Sequence, residues 1–190
     1  PDSGVAAAIG YSKEIKKNVE LGIIRNHYVG RTFIEPTQQI RSLGVKLKHS
    51  VNKVLVKNKS ITLIDDSLVR GTTSKKIIQM LFEFGAKEIH LRIASPPIKY
   101  PDYYGVDTPT KAELIASMND LESIRKSINA TTLKFLSIDG LYKSMGYEKR
   151  NSAYPQFTDH CFTGEYPVEP LDAKENKFKK RQISFLSSKN

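Results

Sequence analysis

The sequence predicts an α/β domain with a mostly parallel sheet flanked by helices, and three neighbouring segments carry that expectation. Ile61-Thr-Leu-Ile64 has strand composition and runs directly into Asp65-Asp66. After Ser74, the apolar residues Ile77, Ile78, Leu81 and Phe82 recur on one side at helical spacing. Lys75, Lys76, Gln79 and Glu83 lie on the other side, until Gly85 offers a stop. Ile89-His-Leu-Arg-Ile-Ala94 then alternates as a strand does. Strand, loop, helix and strand in such close succession form a βαβ unit, and parallel sheets of this kind bind ligands at the carboxyl ends of their strands. Residues Asp65 to Ser74 occupy that end.

The other elements follow in chain order. A first helix is expected over Ala6 to Leu21. Ile23 to Arg41 reads as a lid, because Asn26, Gly30 and Pro36 argue against one continuous helix, while Arg25, His27, Tyr28 and Arg31 supply cationic and aromatic reach. A strand near Lys53 to Val56 precedes the βαβ unit. Beyond it, Lys111 to Met118 and Leu121 to Ile128 read as short helices, the second capped by Asn119 or Asp120. Leu133 to Ile138 is a further strand, and Gly140 to Met145 starts another helical turn. Composition shifts after about residue 168, where Pro167 and Pro170 precede a polar tail carrying Lys174, Lys177, Lys179, Lys180 and Arg181. Such a tail is expected to be solvated or loosely docked.

The chemistry concentrates between residues 65 and 74. Adjacent carboxylates repel each other unless a cation or a donor-rich ligand such as a sugar diol sits between them. Gly71 lets backbone approach an anion closely, and Thr72, Thr73 and Ser74 offer hydroxyls and amides where a helix would begin. Each half alone fits ordinary structure, since Asp-Asp occurs in solvated turns and Thr-Thr-Ser can cap a helix. Together, after an apolar strand, they point to a ligand. Neither Gly-x4-Gly-Lys-[Ser/Thr] nor Gly-x-Gly-x-x-Gly occurs, which disfavours an ATPase or a dinucleotide enzyme.

Charge agrees with an anionic ligand. Of the net +10, a surplus of eight falls between Ser12 and Ser60, where eleven Lys or Arg face three Glu. No nucleic-acid module, aromatic stacking motif or zinc-ligand spacing accompanies it, so no nucleic-acid partner is expected. His27, His49, His90 and His160 lack metal spacing among themselves, none is assigned as a ligand, and His160 beside Cys161 reads as incidental. A single cysteine excludes an internal disulfide, and no apolar run approaches the roughly 20 residues of a membrane span. With no signal peptide visible, a cytoplasmic protein without a membrane partner is expected.

Strand, Asp-Asp, four residues and Gly-Thr-Thr-Ser resemble the signature of type I phosphoribosyltransferases, which bind 5-phosphoribosyl-1-pyrophosphate. Six ordered blocks extend the likeness: Pro1-Asp-Ser-Gly4, Asn26-His-Tyr-Val-Gly-Arg-Thr-Phe-Ile34, Val69-Arg-Gly-Thr-Thr-Ser74, Ser95-Pro-Pro97, Tyr104-Gly-Val-Asp107 and Glu113-Leu-Ile-Ala116. From residue 1 to about residue 168 they resemble the carboxyl-terminal part of the amidophosphoribosyltransferase family. The resemblance implies a type I phosphoribosyltransferase-like fold over residues 1–168 and a separate basic tail over 169–190.

It also implies site roles. Asp65 and Asp66 would orient the ribose and, with the Ser3 hydroxyl, hold Mg2+. Arg70, Gly71, Thr72, Thr73 and Ser74 would anchor the 5′-phosphate. Arg25 and Tyr28 would belong to a loop that closes over the donor and shapes the ammonia path, with Arg25 standing where a lysine is more usual. The implied reaction displaces pyrophosphate from phosphoribosyl pyrophosphate by ammonia, giving phosphoribosylamine, the first step of purine synthesis. A phosphoribosyl-pyrophosphate-binding regulator and an inactive remnant are the alternatives that keep the same loop.

Family members are longer and begin with a glutaminase domain whose amino-terminal cysteine is the nucleophile. The chain is therefore expected to be a piece lacking that domain, with its sheet truncated on the amino-terminal side. By itself it should hydrolyse no glutamine and make little or no phosphoribosylamine, whereas the complete enzyme is implied to be a homo-oligomer carrying the glutaminase. Some relatives hold a four-iron cluster with cysteines. Here Asp102 stands where they place one cysteine, and only Cys161 remains of their cysteine-rich run. One thiol cannot hold such a cluster, so no iron–sulfur centre is expected.

Overall fold

The computed structural model describes residues 2–26 and 49–169. Three strands, β3 (Ser60–Asp65), β4 (Glu88–Ile93) and β5 (Thr132–Phe135), form a parallel sheet in the order β3-β4-β5. The expected βαβ unit is present: helix α3 (Thr72–Glu83) joins β3 to β4, with Leu63 opposite Leu91 and Asp65 opposite Ile93. Ile89, Leu91 and Ile93 alternate into the core with Ile77, Ile78 and Leu81 of α3, all buried. Burying such side chains contributes roughly 1.5–3 kcal/mol each.

Around this unit the elements differ from the sequence expectation in instructive places. Helix α1 (Val5–Ile15) stops short of Leu21 because Lys16 turns left-handed at φ 52°, and none of its residues is buried. The segment Lys53 to Val56 is not a strand. It is one helical turn, α2 (Lys53–Val56), set by the Asn52 side chain accepting from Val54 N, with Val56 buried and Val54 exposed. The expected lid begins instead as strand β1 (Ile23–Arg25), paired antiparallel with β2 (His49–Val51). The remainder of the expected lid, from His27 to Arg41, lies outside the described residues, as does the tail from residue 170 onward.

The carboxyl-terminal half follows similar corrections. Lys111 to Met118 divides at fully buried Leu114, whose extended ψ of 111° separates a 3-10 turn (Lys111–Glu113) from α4 (Ile115–Met118). Asp120 caps α5 (Leu121–Ser127), accepting from Ser123 N at 2.7 Å. Strand β5 ends at Phe135, because Ser137 accepts from Gly140 N and opens α6 (Ile138–Ser144) two residues before the expected turn. A further helical turn, α7 (His160–Thr163), is present without any forewarning from periodicity. Among the described residues, no helix is long and apolar enough to cross a membrane.

Candidate functional site

Asp65 closes β3 at the carboxyl edge of the parallel sheet, and exposed Asp66 follows it. Asp65 Oδ1 accepts from Asp66 N at 3.1 Å, and Asp66 Oδ1 accepts from Ser67 Oγ at 2.8 Å. Burial pushes the Asp65 carboxyl up from its ordinary value, and the adjacent Asp66 charge pushes it further, against the lowering effect of the Asp66 amide. Among the described residues each carboxylate thus keeps a second oxygen without a protein donor. Two adjacent carboxylates whose repulsion is only partly offset fit a hard divalent cation such as Mg2+, which prefers oxygen donors.

Gly71 connects this pair to α3. It is buried and left-handed (φ 75°), a conformation that favours glycine, and a Cβ there would sit 2.8 Å from Ile115 Cδ1, so that side chain would have to shift. No side chain caps α3 and no acidic residue occupies its first turn. The unsatisfied amides of that turn are therefore disposed toward an anion. Thr72 and Thr73 are exposed beside them, whereas Ser74 is buried.

Arg70 is oriented by a residue the sequence reading did not assign. Its Nε and Nη2 donate to Glu113 Oε1 at 3.1 and 3.0 Å, while Glu113 Oε2 accepts from Thr110 N and Thr110 Oγ1. These donors, led by the Thr110 hydroxyl and Arg70, hold the Glu113 carboxyl below its ordinary range. Thr110-x-x-Glu113 is a capping box, which the sequence displays openly. Its tie to Arg70 spans 43 positions and has no local signal. Ile115 N also donates to Val69 O at 2.9 Å, so the 110–118 segment supports the loop from behind.

Residues 2–4 approach the same strand end. A Cβ on Gly4 would lie 3.1 Å from Ile64 O and 3.5 Å from Asp65 Cα, so α1 starts against the acidic pair with exposed Ser3 at its entrance. Asp2, at φ 75°, accepts from Arg25 Nη1 at 2.6 Å. Arg25 is thereby tied to the strand end through residues 2–4, and among the described residues its buried Nε has no hydrogen-bond partner. Tyr28 lies outside the described residues. The structure thus gathers Asp65, Asp66, Arg70, Gly71, Thr72, Thr73 and Ser74 on one loop, with residues 2–4 and Arg25 alongside.

No family model matches the chain. Curated proteins do. Over 189 residues the chain is 56% identical to the amidophosphoribosyltransferase of Rhizobium etli, covering 99% of this chain and 38% of that protein. It is 51% identical to the chloroplastic amidophosphoribosyltransferase 1 of Arabidopsis thaliana, covering 92% of this chain and 30% of the relative. Among solved structures, the Bacillus subtilis glutamine phosphoribosylpyrophosphate amidotransferase complexed with ADP and GMP superposes with a TM-score of 0.77. That match is 50% identical and covers 89% of this chain and 37% of the other. The chain therefore spans less than two fifths of the length of these relatives. Its parallel sheet and flanking helices are those of a type I phosphoribosyltransferase-like fold.

Proposed function

We propose, from the premise that this chain belongs over its length to the amidophosphoribosyltransferase family, that Asp65 to Ser74 bind magnesium-complexed phosphoribosyl pyrophosphate. In the complete protein, ammonia then displaces the pyrophosphate to give phosphoribosylamine, opening purine synthesis. The observation that carries this reading is the unneutralised Asp65-Asp66 pair at the carboxyl end of β3, one turn from the uncapped start of α3.

Each residue has a physical task. Asp65 and Asp66 accept from the ribose diol and, with the Ser3 hydroxyl, supply oxygen donors for Mg2+. That ion, when bound, neutralises charge on the departing pyrophosphate. The α3 amides, the Thr72 and Thr73 hydroxyls and the Ser74 amide hold the 5′-phosphate, and Gly71 allows its close approach. Arg70 keeps its orientation through Glu113 and adds positive charge at the rim. Arg25, held on β1 by Asp2, borders the site, and Tyr28 closes it. As pyrophosphate leaves, positive character grows at the anomeric carbon, so catalysis rests on placement and charge compensation. Neutral ammonia needs no strong general base. Supply of that ammonia by a glutaminase domain, homo-oligomeric assembly and a cytoplasmic location complete the reading.

Titration calorimetry of phosphoribosyl pyrophosphate with Mg2+ tests it. Asp65→Asn with Asp66→Asn should abolish magnesium-dependent binding, and unchanged affinity would sink the assignment. Formation of phosphoribosylamine from ammonia by the complete protein separates the enzyme from a binding regulator.

A further inference from the structure

We propose that Asp102 Oδ2, His160 Nε2 and Cys161 Sγ form a binding site for one divalent transition-metal ion of the zinc class, cross-linking the loop at 100–107 to the segment at 159–166. This site is separate from the acidic pair at Asp65 and needs none of its residues. The three donor atoms all lie within 4.8 Å of one another. They come from positions 58 and 59 residues apart in the chain.

The donor chemistry is that of a tetrahedral N, O, S site, and a single thiolate suits one ion where a four-iron cluster would need several. Asp102 Oδ2 lies 2.6 Å from His160 Nε2 and 3.8 Å from Cys161 Sγ. Zinc bond lengths of about 2.0–2.1 Å to N or O and about 2.3 Å to S set edges of roughly 3.3 Å for N···O and 3.5 Å for S···O. The Sγ to Oδ2 edge is thus about 0.3 Å longer than required, and the edge from Sγ to His160 Nε2, which is within 4.8 Å, must close to about 3.5 Å as the ion binds. His160 and Asp102 must part by about 0.7 Å from their 2.6 Å hydrogen bond, as the cation replaces the proton between them.

The surroundings hold the donors in aim. Asp102 Oδ1 accepts from Tyr104 N and Val106 N at 2.8 and 2.9 Å, which leaves Oδ2 for His160. Cys161 O accepts from Lys99 N and Tyr100 N, and Tyr166 Oη donates to Pro101 O, so both segments are already stitched together around the cluster. The side chains of His160 and Asp102 are only 5% and 6% exposed. Among the described residues His160 Nδ1 is buried without a hydrogen-bond partner, and the ring's polar tie is the one through Nε2. The rings of Tyr104 and Tyr166 flank the imidazole at 4.9 and 5.0 Å, and water supplies the fourth ligand beside half-buried Cys161.

Cobalt(II) alone is the probe, titrated into the chelator-treated full chain. One equivalent should bind, with a thiolate-to-cobalt charge-transfer band and intense tetrahedral d–d bands that zinc then bleaches. Cys161→Ser should remove the charge-transfer band. Asp102→Asn and His160→Gln should each weaken cobalt by more than the 10–100-fold, roughly, of a lost outer-shell partner. Asp65→Asn with Asp66→Asn should leave the spectrum intact. X-ray absorption at the zinc edge of the wild-type chain needs no variant, and should give one sulfur at about 2.3 Å with the rest at about 2.0–2.1 Å. Absence of bound cobalt, binding without sulfur ligation, unchanged affinity in Asp102→Asn, or loss of the spectrum in the Asp65/Asp66 variant would each overturn the site.

Discussion

The loop from Asp65 to Ser74 and the packed region around Asp102 and Asp159 both depend on carboxylates, yet they treat charge in opposite ways. Burial and the Asp66 charge push Asp65 up. At Asp102 burial also pushes upward, but the Val106 and Tyr104 amides and His160 outweigh it and hold the carboxyl below its ordinary range. Asp159 behaves alike: burial is outweighed by Arg150, Tyr142 and Thr163. Charge that the protein leaves unneutralised is available to a ligand, whereas charge it neutralises internally fastens segments together. The first region is a receptor and the Asp159 pair with Arg150 is a staple, while Asp102 fastens its two segments whether a proton or a cation stands between it and His160.

The sharpest way to break that comparison is to make the same change, carboxylate to amide, in both regions. Asp159 is buried and receives Arg150 Nε at 2.5 Å and Tyr142 Oη at 2.9 Å. Removing one partner of such a pair costs about 3–5 kcal/mol, and Asp159→Asn should fall near the lower end because Glu165 still pairs Arg150. Denaturant unfolding measures it. The sign with pH is fixed by the lowered folded value: the stabilisation is complete above the unfolded carboxylate value of about 3.9 and is lost as pH falls through the folded one. The variant should flatten that acid limb.

Which parts of this were legible in the sequence follows from the range of the interactions. The βαβ unit was readable because periodicity and loop chemistry are local, and Asp65 to Ser74 is one continuous run. Lys53 to Val56 misled because its apolar residues suit a strand, while the deciding contact is a cap from Asn52 just outside it. The β1 and β2 strands have three residues each, too few for alternation to register, and they find each other across the intervening chain. Arg70 with Glu113, and Asp102 with His160, are partners only because the sheet brings distant segments together. An adjacent His and Cys carry no metal spacing until Asp102 arrives beside them.

Asp65→Asn should show the opposite sign. A raised folded value means that the ionised carboxyl destabilises the fold at neutral pH, and that this contribution is relieved as pH falls toward the folded value. The amide should therefore leave the melting midpoint equal or higher while magnesium-dependent affinity for phosphoribosyl pyrophosphate collapses. Calorimetry and thermal melts on one sample read both effects. A lower midpoint with retained affinity would turn the loop into a staple and erase the contrast.

Gly71→Ala should affect both properties at once. A left-handed non-glycine residue costs of order 1–3 kcal/mol, and the added Cβ meets Ile115 Cδ1 at 2.8 Å and Ile128 Cγ2 at 3.3 Å. The displaced loop should lose affinity beyond what its stability loss explains, because the α3 amides move with it. Unchanged binding in a destabilised variant would show that Gly71 serves packing alone.

The smallest effect is expected at Glu113, and it separates orientation from stability within the receptor loop. Arg70 and Glu113 are about half exposed, with side-chain accessibilities of 49% and 47%, so solvent screens their attraction. Glu113→Gln should leave the melting midpoint unchanged within error. It should still weaken phosphoribosyl pyrophosphate a few-fold, since an Arg70 released from its Nε and Nη2 hydrogen bonds samples more rotamers before each binding event. Carbon-detected NMR titration supplies the independent readout: the Glu113 carboxyl should titrate below the ordinary glutamate value and move back toward it in Arg70→Ala. Because the folded value is lowered, the pair's contribution is present above the unfolded glutamate value of about 4.3 and is lost as pH falls through the folded one. If Arg70→Ala leaves the Glu113 midpoint in place, the Thr110 cap alone holds the carboxylate, and Arg70 owes its position to something other than Glu113.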